Sequence, residues 1–309
     1  MQSSEITMII SKCPLRVSLA GGSTDLQAYL NKYGIGSVIT FTPNLYTYIS
    51  LKPSSSKYYR IIYSSIDNCL EPDEIRNDIA REVIKYFDLP PVEVIFTSDI
   101  ASTGSGLASS SSYLIAMINA ALSFTCIELP TTEIAKIALE IEHKFNPLTG
   151  YQDIYGCIFS GFKKLEFDKS GLSQITYYNP DLFDNFSFHL IPTSVIRSST
   201  NMLATLDIDK IHNLMDSLND MDRFLNEEDY NQVCEEINAS WELKKLTSPS
   251  MMDGKMISLE NKLITKTVAR RLIGAGAGGY FLAVTHPNQK LRYNSIPIKL
   301  GTSYTTIQF

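Results

Sequence analysis

Residues 92–124 constrain the fold most, because a strand, a glycine- and serine-rich turn and an apolar helix follow one another there in close succession. Val92, Val94 and Phe96 fall on one face of a strand over Val92–Ser98. The run Gly104-Ser105-Gly106-Leu107-Ala108-Ser109-Ser110-Ser111-Ser112 follows, and an apolar helical stretch then continues to about Phe124. Glycines let backbone amides turn toward an anion, and a helix N-terminus adds partial positive charge. The serines at the helix start offer hydroxyls to phosphate oxygens or to a magnesium ion. The same residues also suit a flexible turn with a serine N-cap. No Gly-Lys-Ser/Thr follows, so this is not a P-loop. A third glycine and a downstream acid are missing, so it is not a dinucleotide fingerprint.

A second glycine-rich run, Gly274-Ala275-Gly276-Ala277-Gly278-Gly279, leads into an apolar strand over Tyr280–Thr285. Six small residues suit a place where backbone or ligand must approach closely, or a tight link between helix and sheet. Elsewhere along the chain the periodicity switches repeatedly. Leu15, Val17 and Leu19 alternate with Arg16, Ser18 and Ala20, which predicts a half-buried strand ended by Gly21-Gly22. Further strands are expected at Ser37–Thr42, Leu45–Leu51 and Arg60–Ser64, and a helix along Ile75, Ile79, Val83 and Phe87. Helices are also expected over Thr131–Lys144, Ile208–Leu225 and Asp229–Lys245. Ile296–Leu300 and Tyr304–Gln308 suggest a closing hairpin. Strands and helices without regular βαβ alternation indicate an α+β fold. The turn-rich stretch Ser170–Asn185 is the candidate boundary, giving an N-terminal domain over 1–175 and a C-terminal domain over 176–309.

The formal net charge of −6 gives no electrostatic reason to bind nucleic acid or an anionic membrane. An anionic substrate would therefore need local basic residues. The five cysteines are scattered without a CxxC pair, and the four histidines lack metal-ligand spacing, so reduced thiols in a cytoplasmic protein are expected. The start MQSSEITMIISKC has no cationic stretch ahead of an apolar run, and no signal peptide is expected.

Three polar residues stand out against their neighbours. Glu142 lies late in its helix on the side of Ala135, Ala138 and Phe145, an odd place for a solvated acid, although Glu140 is a neighbouring alternative. Asp153 follows Gly150-Tyr151-Gln152, where it is either a functional carboxylate or a turn-forming residue. Arg16 sits on the strand face opposite Leu15, Val17 and Leu19, so it points into a cleft or into solvent.

Three segments, in order, resemble the signature motifs of the GHMP kinases, the family of galactokinase, homoserine kinase and mevalonate kinase. They are Pro14–Asp25, Gly106-Leu107-Ala108-Ser109-Ser110-Ser111 and Gly274–Gly279. Within that family the first motif, Ser109–Tyr113, Ile196-Arg197-Ser198 and Ser240–Lys245 look most like the heptose 7-phosphate 1-kinases. The resemblance implies a ribosomal-protein-S5-like N-terminal domain, a ferredoxin-like C-terminal domain, and transfer of a phosphoryl group from ATP to a sugar hydroxyl with Mg2+. It implies Asp153 as catalytic base beside Arg16, and Ser110 with Glu142 as magnesium ligands. Gly104 to Ser111, with Gly276 and Gly278, would bind nucleotide. Gly22, Ser23, Thr24 and Asp25 would bind the sugar, and Arg197 a phosphate already on it. Lys244 and Lys245 read more readily as a solvated pair, and Trp241 as core. The expected partner is a small sugar or sugar phosphate, and a homodimer is compatible with the sequence. Ala108 stands where the family usually has glycine, and alanine does not easily adopt positive φ. A catalytically weak sugar- or nucleotide-binding regulator, or a kinase for another small alcohol, are the rival readings.

Overall fold

Short runs of β-branched and aromatic residues, cut by glycine and proline, pair into three sheets in a computed structural model that describes residues 8–101, 104–195, 206–291 and 293–309. The first part of the chain runs β1 (Ile9–Pro14), β2 (Val17–Ala20), α1 (Gln27–Tyr33), β3 (Ile35–Phe41), β4 (Tyr46–Pro53), β5 (Tyr59–Ile62), β6 (Ile66–Cys69) and α2 (Asp78–Tyr86). It continues through β7 (Val92–Ser98), α3 (Ser109–Phe124), α4 (Thr131–Phe145), α5 (Gln152–Ile158), β8 (Phe162–Asp168) and β9 (Gly171–Tyr177). The remainder comprises α6 (Leu182–Asn185), β10 (Ser187–Pro192), α7 (Ile208–Asn226), α8 (Tyr230–Lys245), α9 (Gly254–Ile264), β11 (Ala269–Leu272), β12 (Tyr280–Thr285), β13 (Ile296–Ile298) and β14 (Thr305–Gln308).

The sheets have the orders β14-β1-β4-β7-β5-β6, β2-β3-β8-β9 and β11-β12-β10-β13. Among the described strands only β5 and β7 pair in parallel, so the α+β expectation holds. Helix α3 is buried on nearly every side, because it packs on β1 and β4 while α2, α4 and α5 cover it. That explains its apolar run without a polar stripe. Asp207 and Asp229 start α7 and α8 by accepting backbone amides of Lys210 and Gln232. A single apolar cluster then joins β2 and β3 to the third sheet, with Val17, Phe41, Leu218, Ile237 and Leu282 in it. Among the described residues, no helix is long and apolar enough to cross a membrane.

Two expectations need correction. The strand containing Val17 and Leu19 is covered on both faces, not one: Ser18 is only 3% exposed. The final two strands form no hairpin. β13 pairs with β10, whereas β14 returns across the molecule to lie beside β1, with Ile9 opposite Gln308. The end of the chain thus completes the sheet in which its beginning lies.

Lys163 on β8 is fully buried, and its ammonium donates to the Gly156 carbonyl at 3.1 Å. Burial pulls its pKa down from 10.5 to about 7. A lysine with a lowered folded-state pKa weakens the fold most where it must be charged, and that penalty fades as pH rises from about 7 towards 10.5. Lys163→Met is therefore expected to be more stable than wild type at pH 7, by an amount that shrinks towards pH 10. Urea denaturation at both pH values measures it, and a pH-independent difference would contradict the assignment.

Candidate active site

Segments distant in sequence converge on one cavity of about 370 Å³. Arg16 and Ser18, at and beside the start of β2, form one wall, and Gly104–Ser110 at the start of α3 form another. Glu142 of α4, the stretch leading through Gly150 to Asp153, Lys244 of α8 and the Gly274–Ala275 pair complete the lining.

The charged centre is the pair Arg16 and Asp153. Arg16 donates from Nε at 3.0 Å and from Nη2 at 2.7 Å to Asp153 Oδ1, and from Nη1 at 2.8 Å to the Gly106 carbonyl. The arginine side chain is 4% exposed and the aspartate 27%, so the arginine is anchored and the carboxylate faces the cavity. Asp153 sits in the first turn of α5, where the helix dipole favours a negative charge. A second buried cation, Arg271, is pulled down to about 9 by burial and by the charge of Arg16.

Glu142 is buried at 1% exposure and accepts Ser111 Oγ at 2.8 and 3.0 Å on its two oxygens. Burial, reinforced by the charge of Asp153, pushes its pKa from 4.5 up to about 8. A carboxyl group so disfavoured as an anion suits a cation beside it. The described residues hold no cluster of three or more His, Cys, Asp or Glu able to bind a metal alone. A magnesium ion held by one or two carboxylates and completed by nucleotide phosphates fits this donor set.

The start of α3 is open. Its N-cap is Ala108, with no side-chain hydrogen bond to the first-turn amides, so the serine-cap reading does not hold. Ser109 and Ser110, in that first turn, line the cavity, and an open helix start of this kind favours an anion. Ala108 takes up the left-handed conformation the loop needs, at φ 60° and ψ 37°. An L-residue there costs roughly 1–2 kcal/mol. Ala108→Gly is expected to stabilise the protein by about 1 kcal/mol, measured by urea denaturation; a destabilised variant would contradict the strain.

Most sequence-expected residues meet here, with differences of detail. Gly104, Ser105, Gly106, Ala108, Ser109 and Ser110 line the cavity, whereas Leu107 is buried in the apolar cluster. Ser110 faces the space and is exposed, while its neighbour Ser111 is the serine bonded to Glu142. Gly276 and Gly278 do not line the cavity; Gly274 and Ala275 do. Gly279 shows why the run is so small: at φ +90° its position would put a side-chain carbon 2.3 Å from the Ser105 carbonyl. The two glycine-rich segments are thus packed backbone against backbone. Ser23 lines the cavity, but the Thr24 hydroxyl is tied to the Gly21 and Ser37 carbonyls at 2.8 and 2.7 Å. Asp25 is fully buried behind the lining, and both its oxygens accept from Gln152, from its backbone N–H at 2.9 Å and from Nε2 at 3.0 Å. Burial pushes Asp25 up to about 6, against the pull of the Gln152 amide. Arg197 lies outside the described residues.

Sequence reasoning missed Ser18 and Gln152 and set Lys244 aside. Lys244 is 4% exposed, lines the cavity and donates to the Gly274 carbonyl at 2.7 Å. Its position on the α8 face of the buried Ser240, one turn earlier, was the available signal.

Residues 75–161 match the family described as GHMP kinases N terminal domain. The D-glycero-alpha-D-manno-heptose 7-phosphate kinase of Campylobacter jejuni is 27% identical over 320 residues, spanning 93% of this chain and 92% of the relative. A solved D-glycero-D-manno-heptose 1-phosphate kinase from Bacteroides thetaiotaomicron superposes with a TM-score of 0.77 at 23% identity, covering 97% of this chain and 99% of that one. Lactococcus lactis galactokinase, solved with galactose, shares the fold with a TM-score of 0.76 at 14% identity over 96% of this chain and 95% of its own. Residues 75–161 thus match a GHMP kinase N-terminal domain, and the chain is similar to kinases of that kind along nearly its whole length.

Proposed function

We propose that the chain is an ATP-dependent sugar kinase whose acceptor is a heptose 7-phosphate and whose product carries phosphate on the anomeric hydroxyl. The carrying observation is that the Arg16–Asp153 pair at 2.7 Å, the uncapped start of α3 and the buried Glu142 face one cavity. The near full-length likeness to a heptose 7-phosphate kinase supports the choice of acceptor.

In this reading the amides at Ser109–Ser111 and the hydroxyls of Ser105, Ser109 and Ser110 hold the phosphates of ATP. Asp153 orients the acceptor hydroxyl and takes its proton as the oxygen bonds to the γ-phosphorus and the bond to ADP breaks. Arg16 holds the carboxylate in place through two charge-assisted hydrogen bonds to one oxygen. Glu142 would hold a magnesium ion with Ser110 or Ser111, and that ion would supply charge neutralisation on the phosphates. The retained left-handed turn at Ala108 speaks against a silent regulator, since the loop geometry survives the loss of glycine. Five free thiols, four of them buried, accord with a cytoplasmic protein.

ATP turnover across hexoses, heptoses and their phosphates tests the reading. Turnover with D-glycero-D-manno-heptose 7-phosphate, giving a 1,7-bisphosphate by phosphorus NMR, is the expected result. Turnover confined to a non-sugar alcohol, or none with any sugar, would overturn it.

A further inference from the structure

We infer that Ser18, Gln152 and Lys244 form a niche that reads a hydroxyl of the acceptor other than the one phosphorylated, an inference that rests on the sugar-kinase reading. The three groups surround one point. A side-chain carbon at Gly22 would lie 3.3 Å from Lys244 Nζ, 3.6 Å from Ser18 Oγ and 4.0 Å from Gln152 Oε1. Glycine leaves that point empty, and all three side chains line the cavity.

Ser18 carries the argument. Its residue is 3% exposed, yet its hydroxyl has no hydrogen-bond partner among the described residues. Buried hydroxyls are seldom left unpaired, so a group entering the cavity is the natural partner. Gln152 supplies the second constraint. Its Nε2 donates to Asp25 Oδ1 at 3.0 Å, and a carboxylate oxygen there can only accept from the amide nitrogen. The amide is therefore held with Oε1 turned to the niche as an acceptor. Lys244 Nζ donates to the Gly274 carbonyl at 2.7 Å and sets its positive charge beside the same point.

The niche thus offers an ammonium donor, a hydroxyl that can do either, and a carbonyl acceptor. A phosphate dianion has no hydrogen to give Gln152 Oε1, so it leaves that acceptor unmet. A sugar hydroxyl donates to Gln152 and accepts from Lys244 or Ser18, which satisfies the set. Asp25 then acts through Gln152, as a positioning residue, rather than by touching the sugar.

Steady-state kinetics with D-glycero-D-manno-heptose 7-phosphate and its 2-, 3- and 4-deoxy analogues test this. Ser18→Ala breaks no hydrogen bond among the described residues, so folding is retained. It is expected to raise KM for the parent sugar about five- to ten-fold, the effect of one hydrogen bond, with KM for ATP moved less than about two-fold. One deoxy analogue should be a poor substrate for wild type and insensitive to Ser18→Ala. Gly22→Ala, which fills the point with a methyl group, should raise the sugar KM as well. If both variants leave the sugar KM unmoved, or Ser18→Ala costs the same factor on every analogue, the niche is wrong while the kinase reading stands. If wild type phosphorylates none of these sugars, both fall.

Discussion

Asp153→Asn is expected to lower kcat by about a thousand-fold while the affinity for ATP stays nearly unchanged. A positioned general base contributes on the order of a hundred- to ten-thousand-fold, and asparagine cannot take the acceptor's proton at neutral pH. The substitution is nearly isosteric, and its carbonyl can still accept from Arg16, whose side chain is 4% exposed and held by the Gly106 carbonyl as well. The wall proposed to hold the phosphates, Gly104–Ser110, belongs to a different element and keeps its geometry. Single-turnover kinetics with saturating sugar, paired with calorimetric titration of an ATP analogue, separates the two effects. Turnover comparable with wild type would remove Asp153 as the base. Equal loss of ATP affinity would mean that the aspartate serves the nucleotide instead.

Parts of this site were legible in the sequence because they break local rules. An acid beside Ala135 and Ala138 is out of place on a solvated helix face, and Glu142 is indeed buried among them. Arg16 stands on the polar face of an alternating strand, and it is the anchor of Asp153. Two runs of glycine and serine mark backbone that must approach something closely, and Gly279 against Ser105 shows what the approach is. Other parts carried no local signal. Helix α1 has seven residues and is capped at Leu26 with no side-chain hydrogen bond, so Asp25, which could be read as an N-cap, does not mark its start. Strand β11 reads Ala-Arg-Arg-Leu, and only packing against α8 and α9 buries it. Lys244 looks solvated beside Lys245 until the turn at Gly22 and the Gly274 loop are brought to it by the fold. The return of β14 to β1 is likewise a long-range pairing, whereas neighbouring strands in sequence usually pair with each other. What could be read was residue chemistry in the wrong surroundings; what could not was the identity of distant partners.

Glu142→Gln is the second substitution expected to have a large effect, and its signature differs from that of a general base. Glutamine preserves the shape and can still accept Ser111 Oγ, but it offers a hard cation no charge. Turnover at millimolar Mg2+ is expected to fall about a hundred-fold or more, with the Mg2+ concentration for half-maximal rate moved upward. Without metal and nucleotide the variant is expected to be at least as stable as wild type. Burial holds the Glu142 carboxyl up to about 8, far above its ordinary 4.5, so the folded protein binds the proton more tightly than the unfolded chain. Its contribution to stability is then fully present below about pH 4.5 and is lost as pH rises through about 8. Glutamine has no such loss, so the stability of the variant relative to wild type should grow across that window. Mg2+ with an ATP analogue should reverse the order, raising the Tm of wild type and hardly moving that of the variant. A variant that is less stable when free, and that responds to Mg2+ like wild type, would make Glu142 a structural partner of Ser111 and not a metal ligand.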